Sequence, residues 1–220
     1  MNPALERRCV DGPGGALEVV FEDPGTEASA YYAVVCHPHP LFGGTMDNKV
    51  VTTLARAMFE CGIPSARFNF RGVGGSAGAF DAGTGETDDA QAVALVGAAR
   101  WPGRRLILAG FSFGAYVAWR LALRLPAAQL ITVAPPVGRF EFSSAVPSCP
   151  WLVVQGDADE VVDAGAVIRW VEDLEPAPQL IVMPGVGHFF HGRLLELRDA
   201  VQSGVCTSGA ADPSLNRPKS

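Results

Sequence analysis

This sequence predicts an α/β fold: a mostly parallel central sheet, helices on both faces, and an antiparallel hairpin at the N-terminal edge. Three observations carry the prediction. From residue 30 onward, short apolar runs alternate with stretches of helical periodicity, the pattern of strands joined by crossover helices. The runs, such as Leu106-Ile-Leu-Ala109, are apolar throughout, as in strands covered on both faces. Residues 4–23 differ, because two strand-like segments flank Asp11-Gly-Pro-Gly-Gly15, a dense hairpin signal.

In order, residues 24–29 read as a polar loop and 30–36 as a central strand, ended by His37-Pro-His-Pro-Leu-Phe-Gly-Gly44. Asp47 is the expected N-cap of a helix with Val50, Val51, Leu54, Ala57 and Met58 on its apolar face, stopped at Cys61-Gly62. A strand over 65–70 leads into the turn-rich Arg71-Gly-Val-Gly-Gly-Ser-Ala-Gly78. Thr84 or Thr87 is expected to cap the next helix, with Asp88 and Asp89 suited to its first turn and Ala90, Val93, Ala94 and Gly97 inward. Strands are expected at 106–109, 130–134, 151–155 and 180–183. Helices are expected directly after residue 114, at 164–174 (Asp163 as cap; Val167, Val171 and Leu174 inward) and at 193–205. One domain is expected over residues 1–206, with a polar, flexible tail over 207–220.

With 220 residues, 48% of them hydrophobic, the chain can bury a large core. A net charge of −6 without a basic cluster argues against nucleic acid or an anionic membrane as partner. No apolar run approaches the roughly 20 residues of a bilayer span, and the residues after Met1 show no apolar signal-peptide core. Cys9, Cys36, Cys61, Cys149 and Cys206 are odd in number without a C-x-x-C pair, so they read as thiols of a reducing cytoplasm, not a disulfide framework or zinc site. The expectation is a cytoplasmic protein with no cofactor and no metal.

The chemistry is expected at the carboxyl ends of the strands. Gly110-Phe-Ser112-Phe-Gly114 stands between a buried strand and a helix, the context that turns G-x-S-x-G from a chance pentapeptide into a nucleophile elbow. A serine hydroxyl needs a base within hydrogen-bond reach. Of the four histidines, His188 in Pro184-Gly-Val-Gly-His188 follows the last strand and is preferred over His191, which lies toward the final helix. The group orienting the imidazole is sought in Gly156-Asp-Ala-Asp159-Glu. Asp159 is chosen because it lies further out in the loop, with Asp157 as the alternative. His37 and His39 read as loop anchors, since no carboxylate or cysteine accompanies them at metal-ligand spacing.

The order Ser112, Asp159, His188, together with the elbow, resembles the serine α/β-hydrolase superfamily over nearly the whole chain. The stretch from His37 to Lys49, with Arg67-Phe-Asn-Phe-Arg71-Gly-Val-Gly-Gly-Ser76, further resembles a bacterial branch of small hydrolases without a lid. The resemblance implies the α/β-hydrolase fold and acyl transfer through an acyl-enzyme, with Ser112, His188 and Asp159 as a triad. It implies an oxyanion hole from the Phe113 N–H and one N–H of the loop after residue 36. Pro38 and Pro40 cannot donate, which leaves His39, Leu41 and Phe42, and Leu41 is preferred between the stiffening prolines and Gly43-Gly44. Phe42, Phe140 and Phe189 are expected to line an apolar substrate pocket. Arg71 either binds an anionic group there or holds its loop through an ion pair. Residues 135–150, where a lid would be inserted, are too few for a cap domain, so the expected substrate is a small soluble ester. Thioesters, lactones and peptides remain alternatives for the same residues, and a silent binding protein is the alternative without chemistry.

Overall fold

The computed structural model describes residues 4–26 and 29–210, with side chains over 5–26 and 29–205. Eight strands form one sheet in the order β1-β2-β4-β3-β5-β6-β7-β8. They are β1 (Ala4–Gly12), β2 (Gly15–Asp23), β3 (Tyr31–Cys36), β4 (Ser65–Phe68), β5 (Arg105–Phe111), β6 (Gln129–Val133), β7 (Trp151–Gly156) and β8 (Gln179–Met183). β1 and β2 form the predicted antiparallel hairpin, and β2 joins β4 antiparallel. From β4 to β8 every pairing is parallel.

The five α-helices among the described residues are α1 (Lys49–Glu60), α2 (Thr84–Arg100), α3 (Phe113–Ala122), α4 (Ala164–Glu172) and α5 (Leu194–Ala210). Strand alternation decides which helix covers which face. Tyr32, Val34 and Cys36 of β3 face a core shared with α2, α3 and α4. Ala33 and Val35 face the opposite core, shared with α1 and α5. Each fully buried aliphatic side chain contributes roughly 1.5–3 kcal/mol, so both layers are needed to hold the sheet. Residues 135–150 contain no helix; a single bridge, Val137 to Phe140, orders them.

Several local expectations are corrected. The cap of α1 is Asn48, whose Oδ1 accepts the Val50 N–H at 2.9 Å. Asp47 instead accepts from Arg67 (2.5 Å) and Arg7 (3.2 Å). Neither Thr84 nor Thr87 caps α2. Glu86 reaches back to the N–H groups of Asp81 and Gly83 at 2.8 and 2.7 Å, satisfying donors that the helix itself cannot. Asp88 pairs with Arg124, and Asp89 is buried. β4 ends at Phe68 and α4 at Glu172, although Leu174 is still buried. α5 continues to Ala210, so the first residues of the expected tail belong to a helix; residues 211–220 lie outside the described residues, as do 27 and 28 of the expected loop. Cys9 is exposed and Cys36 buried, and both are free thiols, as is Cys149. Among the described residues, no helix is long and apolar enough to cross a membrane.

Candidate active site

β5 runs into Ser112 and α3 begins at the next residue. Ser112 has φ 53° and ψ −119°, a conformation that costs a non-glycine residue about 1–3 kcal/mol and persists only where the surroundings enforce it. The flanking glycines show why. A Cβ on Gly110 would stand 2.1 Å from the Gly114 carbonyl oxygen, and one on Gly114 would stand 2.3 Å from that of Cys36. Strand, turn and helix approach too closely for any side chain at either position. The Ser112 N–H is fixed to the Val133 carbonyl at 2.9 Å, and its side chain meets the loop after β8.

In that loop His188 Nε2 lies 3.1 Å from Ser112 Oγ. On the other side of the ring, His188 Nδ1 lies 2.8 Å from Asp159 Oδ2. An ionised carboxylate only accepts, so Nδ1 carries the proton and Nε2 presents its lone pair to the serine hydroxyl. Burial works to raise the Asp159 pKa. The His188 bond, followed by the Val162 and Val161 N–H groups at 2.7 and 2.8 Å, outweighs it and holds the carboxyl below its ordinary range. The side chains of His188 and Asp159 are almost wholly shielded from solvent. His191 is exposed and stacks on Phe189. Asp157 is turned the other way, accepting the Gly185 N–H at 2.6 Å. The structure therefore brings together Ser112, His188 and Asp159 and leaves His191 and Asp157 outside the chain of contacts.

Two residues here carry no isolated sequence signal. Glu160 accepts the His188 backbone N–H at 3.1 Å, and Gln155 donates to Asp159 Oδ2 at 3.1 Å. The first is one acid among several in its loop, and the second reads as an ordinary strand residue.

The loop after β3 is held by its two histidines. His37 is buried; its Nε2 accepts the Phe70 N–H at 3.0 Å and its Nδ1 lies 2.6 Å from the Pro38 carbonyl. Burial pushes its pKa down to about 4, against the Pro38 hydrogen bond, so the ring is neutral. The turn Pro40–Phe42 is capped by His39, whose Nδ1 accepts the Leu41 N–H at 3.2 Å. The Leu41 N–H, expected to face an oxyanion, is thus already engaged, and Phe42 N–H donates to the His39 carbonyl at 3.1 Å. The His39 N–H meets no backbone acceptor among the described residues, and Phe113, the first residue of α3, carries one of the helix's unpaired donors. The next loop braces this one: Asn69 Oδ1 accepts the Met46 N–H at 2.9 Å, while its amide donates to Glu18 at 2.8 Å.

Of the expected pocket residues, Arg71 is corrected. Its guanidinium grips buried Asp89 through two bonds of 2.9 and 2.7 Å, and its backbone N–H adds a third at 3.1 Å. The ion-pair reading of Arg71 therefore replaces the anion-binding one. Phe140 stacks on Tyr116 and contacts Phe113 and His39. Phe42 touches the His39 ring and is 85% exposed, and Phe189 lies against His188 with 42% exposed.

The comparisons with known proteins agree with this architecture. A family model described as serine aminopeptidase, S33 matches residues 41–145. The solved structure of XC6422 from Xanthomonas campestris, described as an α/β serine hydrolase without a lid, is 50% identical, covers 94% of this chain and 96% of its own, and superposes with a TM-score of 0.89. An α/β serine hydrolase homologue from Coxiella burnetii is 47% identical over 91% of this chain and 97% of its own, at a TM-score of 0.88. An uncharacterised protein of Rickettsia prowazekii is 35% identical over 208 residues, 90% of this chain and 87% of the relative. With its uninterrupted run from β6 to β7 and its serine at the turn after β5, this chain belongs to the α/β serine hydrolases, in the branch without a lid.

Proposed function

We propose that the protein hydrolyses small soluble carboxylic esters through an acyl-enzyme. The observation that carries the reading is the unbroken chain of contacts from Ser112 Oγ through the imidazole of His188 to Asp159. Ser112 attacks the ester carbonyl while His188 Nε2 takes its proton. The tetrahedral intermediate collapses with that proton delivered to the leaving alcohol, and water then repeats the sequence on the acyl-serine. Asp159 keeps the imidazole in the required tautomer and stabilises the imidazolium. The Phe113 N–H is one oxyanion donor. The second is assigned to the His39 N–H, because the Leu41 and Phe42 donors are spent inside the turn; a donor of this kind supplies ~10²–10³ in turnover.

The substrate class rests on the surroundings. The rings beside the site are aromatic and partly open (Phe42, Phe140 and Phe189), and Arg71 is spent on Asp89, which favours neutral acyl groups over anionic ones. Asp157 and Glu160 each already hold a loop N–H, which favours esters over substrates with a free α-amine. The test is labelling by a fluorophosphonate followed by a panel of p-nitrophenyl acetate and butyrate, a thioester, a lactone and an aminoacyl anilide. Labelling confined to Ser112 with fastest turnover of the short esters is the expected result. Absence of labelling in folded protein defeats the enzyme reading, and preference for another panel member defeats the substrate.

A further inference from the structure

Gln155 is the last side chain of β7 before Gly156 and is wholly buried. It follows Trp151 and Val153 along the strand toward the apolar core shared with α3 and α4, where an amide is costly. Its Nε2 donates to the Gly156 carbonyl at 3.0 Å and to Asp159 Oδ2 at 3.1 Å, while its Oε1 meets no donor among the described residues. A buried acceptor without a donor is destabilising. Flipping the amide offers no relief, because it would set an oxygen against two acceptors. The fold thus retains an unfavourable group whose one distinctive contact is with the acid beside His188.

The oxygen it touches matters. Asp159 Oδ1 is held by two backbone N–H groups of its own loop. Oδ2 is the oxygen facing His188, and among the described residues Gln155 is its only other hydrogen-bond partner. We propose that Gln155 is a positioning residue that acts through Asp159: its amide fixes Oδ2 in line with His188 Nδ1 and takes a share of that oxygen's negative charge. The inference rests on the Ser112–His188–Asp159 reading above.

Two consequences separate positioning from mere packing. Without the amide, Oδ2 is freer to rotate away from Nδ1, so turnover falls more than binding. The charge left on Oδ2 is also more concentrated, so it stabilises the imidazolium more strongly and the acid limb of the kcat/KM profile moves to higher pH. The other charged groups at this site are Glu160, on the His188 N–H, and Asp157, on Gly185 N–H; both are left in place by a change at residue 155.

The test is Gln155→Met, which keeps length and volume and removes the donor. The expected outcome is kcat lowered about tenfold with KM within twofold, and an acid limb raised by several tenths of a pH unit. A folded variant with wild-type kcat and an unmoved acid limb overturns the proposal. A second measurement needs no variant: in the wild-type protein the Gln155 side-chain amide NMR signals should titrate with the same midpoint as the His188 ring, since both report on Oδ2. Amide signals that stay flat while the ring titrates overturn the proposal even if Gln155→Met does not fold. Ser112→Ala run in parallel separates the two levels: if it keeps activity the triad reading fails, whereas if it is inactive and Gln155 is silent only the present inference fails.

Discussion

The two ends of the sheet differ in the side chains they gather. At the amino ends of β6, β7 and β8 lies a cleft of about 630 Å³, walled by Pro147, Cys149, Trp151, Pro176 and Gln179. Its ionisable lining is limited to Glu175, for which no hydrogen bond is seen, and the Cys149 thiol, which burial pushes up to about 11. At the carboxyl ends serine, imidazole and carboxylate stand in contact and the serine backbone is strained. Parallel strands explain the asymmetry: their carboxyl ends feed loops directly into helix N-termini, whose free N–H groups gather there. The hydrogen-bonded serine, imidazole and carboxylate thus gather at the carboxyl ends, away from that cleft.

The sharpest way to break that contrast is to disable each end in turn. Ser112→Ala should lower kcat/KM for a short p-nitrophenyl ester by at least ~10⁴-fold. Ala177→Trp, which partly fills the amino-end cleft from an exposed position, should leave it within about twofold; a large loss there would make the cleft part of the site. The next largest effect lies within the acid loop. Asp159→Asn should cost ~10²–10⁴ in kcat by upsetting the tautomer, whereas Asp157→Asn should cost less than about tenfold, since that carboxylate holds only the Gly185 N–H. The reverse ranking, read from steady-state rates, would hand the role to Asp157.

How much of this was legible in the sequence depends on the range of the interaction. The elbow was legible because strand, glycines and helix are contiguous, and the fold followed from the alternation of apolar runs. The convergence of Asp159 and His188 was legible because crossover topology places both loops at one edge. What escaped depends on single hydrogen bonds. Leu41 looked like a free donor because its engagement by the His39 ring is a property of the closed turn. Asp47 and Asn48 are equally good caps on paper, and the choice was settled by Arg67, which claims Asp47 from another strand. The ion-pair partner of Arg71 was not legible because Asp89 faces it only when α2 starts at Thr84 and is wound in that phase.

Arg71 and Asp89 also sharpen the contrast between groups that react and groups that hold. Arg71→Met leaves Asp89, which has no exposed side-chain surface, without the guanidinium and with only the backbone N–H of residue 71, so unfolding stability should drop by ~3–5 kcal/mol. The ratio of rates on an anionic and a neutral ester of equal size should stay within twofold. A selective loss on the anionic ester would restore the binding role. His37 offers a somewhat smaller effect with a pH signature. Its folded pKa is depressed to about 4, so its contribution to stability is complete above the unfolded value near 6.5. As pH falls the unfolded chain takes up the proton first, and ~3 kcal/mol is lost by about pH 4. Urea titrations at pH 7.5 and 4.5 should show that loss, and His37→Gln, less stable at pH 7.5, should show a flatter dependence. An unchanged pH slope in the variant would remove His37 as the cause.

The smallest expected effect probes the rim, where holding and reacting groups meet the substrate. Phe42 and Phe140 both touch the His39 ring, yet only Phe140 also packs on Phe113 and Tyr116. Removing the mostly exposed Phe42 ring leaves the fold's contacts intact, so Phe42→Ala should change stability by no more than ~0.5 kcal/mol. If that ring covers the acyl chain, the loss of partial apolar burial, about 1 kcal/mol, should raise KM for a butyrate or hexanoate ester about fivefold, with kcat and the acetate ester unaffected. Phe140→Ala should lower stability and activity together, because its ring belongs to the core as well as to the rim. Equal KM shifts for acetate and hexanoate in Phe42→Ala would mean that the ring shapes the His39 turn instead of contacting the chain. The same comparison then reports on the oxyanion loop, since a disturbed His39 would lower kcat for every ester alike.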